Sequence, residues 1–109
     1  MNNTLFELTS VMRSKNAGPF MGTVDLFFAG TDEFDRVAGW TGLRSAVADR
    51  LDMAPTQVAV TPWRRIRAIK ISFPRRIPSG SVGDADIYGC QLHVPLIDIC
   101  VPELPPSPV

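Results

Sequence analysis

The order of segments along this chain predicts an α+β fold: a ferredoxin-like split βαβ sandwich with an extra N-terminal strand or arm. Three observations predict it. From Thr23 onward the segments read strand, helix, strand, strand, short helix, strand. The run Ile66 to Phe73 alternates cleanly, with Arg67, Ile69, Ile71 and Phe73 on one side and Ile66, Ala68, Lys70 and Ser72 on the other. The length of 109 residues suits one domain, and there are no internal repeats. The expected domain covers 1–102, and 103–109 is a proline-rich tail.

Each element follows from local pattern. Leu5 to Met12 mixes apolar and polar residues without a clean period and reads as the strand or arm. Ser14 to Pro19 reads as a loop, because Gly18-Pro19 punctuates it and the residue before a proline is driven toward extended geometry. Thr23 to Phe28 reads as a strand with Val24, Leu26 and Phe28 on one face. Thr31 or Asp32 is the expected N-cap of the next segment. Glu33 to Leu51 has helical spacing, in Phe34, Val37 and Ala38 and then in Leu43, Val47 and Leu51. Gly39 and Gly42 split it into two short helices near Trp40-Thr41-Gly42, with Thr41 capping the second.

Asp52-Met53-Ala54-Pro55 ends the helical region, and Gln57 to Thr61 reads as a strand. Pro62-Trp63-Arg64-Arg65 reads as a turn before the strand Ile66 to Phe73. Pro74 to Gly83 is loop, Asp84 to Leu92 two helical turns, and Leu96 to Val101 the closing strand.

Composition narrows the function. Eleven basic and eleven acidic side chains give a net charge of zero, which excludes bulk attraction to nucleic-acid phosphates. No apolar run approaches the roughly 20 residues of a membrane-spanning helix. The first residues lack the basic and apolar regions of a signal peptide, so a cytoplasmic location is expected. Cys90 and Cys100 match no metal spacing, and the expectation is neither metal nor cofactor. Cys100 lies in an apolar alternating run and reads as a small core residue.

Two polar runs carry the chemistry. Arg13, Lys15 and Asn16 offer two cations and an amide to a carboxylate or phosphate. The plainer reading is a solvated loop. Ser79, Ser81, Asp84, Tyr88 and His93 form the second cluster. His93 is the single histidine and titrates near neutral pH, which suits a general base; Asp84 is the other candidate. Proton abstraction beside a carbonyl also needs an oxyanion stabiliser, for which Lys15 or Arg13 qualifies. Arg64, Arg65 and Arg67 flank Trp63, and 65 and 67 share a face if that stretch is a strand. The aromatic strand motifs of RNA-recognition modules are absent from it.

The runs Arg13-Ser14-Lys15-Asn16-Ala17-Gly18-Pro19-Phe20 and Ile77 through Leu96 resemble a family of small domains of unknown function associated with AtuA-type acyclic terpene utilisation proteins. The resemblance spans about Leu5 to Pro102. It implies a ferredoxin-like fold and a hetero-oligomer with a large AtuA-type subunit. Its catabolic setting implies carboxylate or acyl-CoA ligands, for which hydratase or lyase chemistry is the expected reaction class. On this reading His93, Asp84 and Lys15 are catalytic, and Arg13, Asn16, Ser79, Ser81 and Tyr88 bind substrate. The alternatives are a non-catalytic scaffold and a small-molecule-binding module that stabilises the large subunit.

Overall fold

The computed structural model describes residues 3–16, 20–74 and 96–103. Their fold is α+β and ferredoxin-like, with helices on one side of a four-stranded antiparallel sheet. Strands β2 (Val11–Asn16), β3 (Met21–Phe27), β4 (Ala59–Trp63) and β5 (Ala68–Pro74) lie in the order β2-β3-β5-β4. β5 runs between β3 and β4 and antiparallel to both, so β3, the helices and β4 make one split βαβ unit.

The fourth place in the sheet differs from expectation. A closing strand over 96–101 would fill the edge beside β3, but β2 fills it. Only Cys100–Val101 is extended (β6), and it pairs with β1 (Asn3–Thr4) in a separate two-stranded sheet. The short apolar run at 96–101 is therefore spent on the domain's flank. The expected arm over 5–12 is also corrected: Leu5–Leu8 is a helical turn, α1. Its cause is visible in Thr4-Leu5-Phe6-Glu7. The Glu7 N–H donates to Thr4 Oγ1 at 3.2 Å, and the Thr4 N–H donates to Glu7 Oε1 at 2.8 Å. This reciprocal capping satisfies two amides that a helix start leaves orphaned.

The break between two helices stands where the glycines put it, giving α2 (Thr31–Ala38) and α3 (Leu43–Arg50). The caps do not. Gly30 and Gly42 occupy the N-cap positions without side-chain bonds, and Thr31, Asp32 and Thr41 cap neither helix. The expected turn at 62–65 is split. Pro62 and Trp63 belong to β4, and Arg64–Ile66 forms one 3-10 turn closed by Arg67 at φ 49°. Residues 65 and 67 thus share no strand face, and Arg67 N–H returns to Arg64 C=O at 3.1 Å.

The core lies between sheet and helices. Val24, Leu26, Ile69, Ile71 and Phe73 from the strands meet Phe34, Val37, Leu43 and Val47 from the helices. Leu5, Leu96, Ile99 and Val101 join the same cluster. Cys100 does not: it is exposed, because its two neighbours Ile99 and Val101 take the inward positions. Arg36 of α2 fastens this flank. Its guanidinium donates to Asn3 Oδ1 at 2.8 Å, Val101 C=O at 2.8 Å and Pro102 C=O at 3.1 Å.

Candidate functional site

Strand alternation decides where the first polar run points. Arg13 and Lys15 were read as loop residues, yet both lie on β2. Register fixes their neighbours. Arg13 pairs with Asp25, which pairs with Lys70, which pairs with Thr61. Lys15 pairs with Thr23, which pairs with Ser72, which pairs with Ala59. Val11 pairs with Phe27, which pairs with Ala68, which pairs with Trp63. These three rows form the face of the sheet turned away from the helices. One row is apolar, one alternates cation, acid, cation and hydroxyl, and one joins a cation to two hydroxyl residues.

Arg13 and Lys15 share that face and are both exposed. They do not act on one point. The Arg13 guanidinium stacks over the Phe27 ring, 5.1 Å from its centroid, toward the apolar row and away from the Asn16 end of the strand. Such a contact is worth about 0.5–1 kcal/mol at an exposed site. Thr23 is buried and its hydroxyl donates to the Lys15 carbonyl at 3.4 Å, holding the end of β2 against β3. Asn16 pairs with Gly22 as the last residue of β2.

Ser79, Ser81, Asp84, Tyr88 and His93 lie outside the described residues, as does Cys90. The point where their segment leaves the sheet is nevertheless fixed. β5 ends at Pro74, opposite Met21, and Phe73 pairs with Gly22, which pairs with Asn16. β2 and β5 therefore both end on the same side of the sheet, with β3 between them. Two strand spacings separate them, about 10 Å.

Arg64 and Arg67, near Trp63, are engaged in the fold. Arg64 forms an ion pair with Asp35 at 2.7 Å and lies over the Phe34 ring at 5.3 Å. Arg67 Nε donates to the Phe28 carbonyl at 3.4 Å. Two open depressions run along the helix side. One, of about 370 Å³, is lined by Trp40, Thr41, Arg44 and Ser45 among others; the second, of about 250 Å³, by Asp35, Pro62 and Arg64. Neither contains a set of acids, histidines and cysteines: among the described residues no group of three or more such side chains is placed to hold a metal ion. Among the same residues no helix is long and apolar enough to cross a membrane.

Sequence reasoning missed Asp25 and Phe27 as neighbours of Arg13, and Lys70 and Trp63 as further members of the same face. The signal was present in the alternation of Ile66 to Phe73, which sets Lys70 and Ser72 opposite the core side.

A family model covers residues 5–100 of the 109. The chain belongs to this family, DUF4387, a domain of unknown function. No curated protein and no solved structure matches it. Membership in DUF4387 takes in both polar runs together with the sheet that carries the first.

Proposed function

We propose that the chain is a small cytoplasmic subunit of a two-component catabolic enzyme whose large subunit is of the AtuA type. Its ligand is an unsaturated or hydroxy carboxylate, or the acyl-CoA thioester of one, and the chemistry is that of a hydratase or lyase. The observation that supports this is the shared exit of β2 and β5: the segments that continue from Asn16 and from Pro74 start from one end of the sheet. Lys15 stands at that end, one pair before the last. Moving a proton beside a carbonyl and stabilising the resulting oxyanion needs such a cation together with a base, for which Asp84 and His93 are the candidates in the sequence.

Co-expression with an AtuA-type large subunit tests the partnership, and single substitutions Lys15→Ala, Asp84→Asn and His93→Gln test the site. Turnover lost from an intact complex supports a catalytic contribution. A chain that stays alone in co-expression rejects the two-component reading.

The second reading is a scaffold that adds no chemistry. It is favoured by large apolar side chains held in solvent: Phe6 at 65% exposure, Phe20 at 60%, Ile66 at 55% and Trp63 at 47%. On this reading the same three substitutions break assembly or do nothing, and never separate turnover from binding.

A further inference from the structure

We propose that the open face of the four-stranded sheet is the surface on which the large subunit docks, and that the patch it meets there is acidic at its centre and apolar at its rim. The proposal rests on the two-component reading above and adds to it the location and chemistry of the contact.

The charge pattern is the first argument. Among the described residues Arg13, Lys15 and Lys70 stand on this face against a single acid, Asp25. The ion pairs Arg50–Asp98 and Arg64–Asp35 lie elsewhere and involve none of the three open-face cations. On the covered side, by contrast, Arg36 is spent on Asn3 and two backbone carbonyls. Both lysines of the chain, Lys15 and Lys70, lie on the open face. Unspent cations at a surface fit an acidic partner.

The apolar row is the second. Val11 and Trp63 bracket it at 44% and 47% exposure, with the half-buried Phe27 and the buried Ala68 between them. Phe27 carries the Arg13 guanidinium on its ring. Aromatic and arginine side chains assembled in this way are the residue types that anchor protein interfaces.

Other occupants fit worse. A second copy packed face to face would set three cations and one acid against the same set, so like charges would oppose. A single-stranded nucleic acid would meet Asp25 at the middle of the face, and the net charge of zero supplies no general attraction.

Titration of the purified full chain against a purified AtuA-type large subunit decides the matter. Lys70→Glu and the pair Val11→Ser with Trp63→Ser are each expected to weaken the complex at least tenfold. Lys70→Gln is expected to give a smaller loss, and wild-type affinity to fall with added salt. Arg44→Glu, exposed on α3, is the control and should stay within twofold. Thermal melts confirm that each variant is folded. The inference is overturned if the folded face variants bind like wild type. It is also overturned if the face instead mediates self-association in sedimentation, or binding of a single-stranded RNA oligomer, in a way that Lys70→Glu abolishes. If the wild-type chain and the large subunit do not associate, the two-component reading falls and takes this inference with it. If they do, and the variants also do, only the docking face is wrong.

Discussion

The two faces of the sheet are made from the same four strands and differ in almost every property. Toward the helices, β3 and β5 present Leu26, Val24, Ile69 and Ile71, each fully buried. Away from them the same strands present Asp25, Thr23, Lys70 and Ser72, which sit in rows with Arg13 and Lys15. A period of two is enough to write both faces into one stretch of chain, and a slip by one residue would exchange them. The covered face holds the domain together. Apart from the buried Thr23 and Ala68, the open face can vary without touching the core, so cations and aromatic side chains gathered there point to something outside the chain.

That contrast makes quantitative predictions. The largest effect is expected on the covered side: Ile69→Ala should destabilise the domain by about 2–5 kcal/mol in urea unfolding, through lost burial and the cavity left behind. Its neighbour on the open side, Lys70→Ala, should stay within about 0.5 kcal/mol. Equal losses at 69 and 70 would break the comparison.

Next comes the flank. Arg36→Ala removes three hydrogen bonds from a charged donor. A loss of about 2 kcal/mol is expected, with faster amide exchange at Leu5 and Phe6, whose N–H groups donate to the carbonyls of Ile99 and Ile97. Thr4→Ala removes the cap of α1 and should cost about 1 kcal/mol, read in the same denaturation experiment.

The smallest effect has the opposite sign. Asp52 closes α3 with φ 56°, and the Met53 N–H reaches back to the Ala48 carbonyl at 3.0 Å. Glycine suits that left-handed position better, so Asp52→Gly should raise stability by about 0.5 kcal/mol.

Much of the covered half was legible in the sequence. Val24, Leu26 and Phe28, and the break between two helices at Trp40-Thr41-Gly42, follow from spacing and from glycine alone. What was illegible was competition. Local pattern shows that 11–16 and 96–101 can each be extended, but not which one wins the edge beside β3. That choice depends on a reciprocal cap at Thr4 and Glu7, and on Arg36 binding residues 65 and 66 positions further on. Cys100 was misread for the same reason, since alternation gives two faces and not their orientation. Of the site, Arg13 and Lys15 were found by residue type but assigned to a loop, because Gly18-Pro19 suggested that the turn began earlier than it does. Asp84 and His93 lie outside the described residues and remain sequence expectations.

The most direct test uses the chain's own lysines. Lys15 and Lys70 are its whole complement, and both stand on the open face, so acetylation of their side-chain amines reports on that face and no other. Rates measured for the free chain and for the chain bound to an AtuA-type large subunit should differ at both residues, with at least fivefold protection in the complex. Two lysines that react as fast in the complex as in the free chain would show that the open face is not where the partner sits.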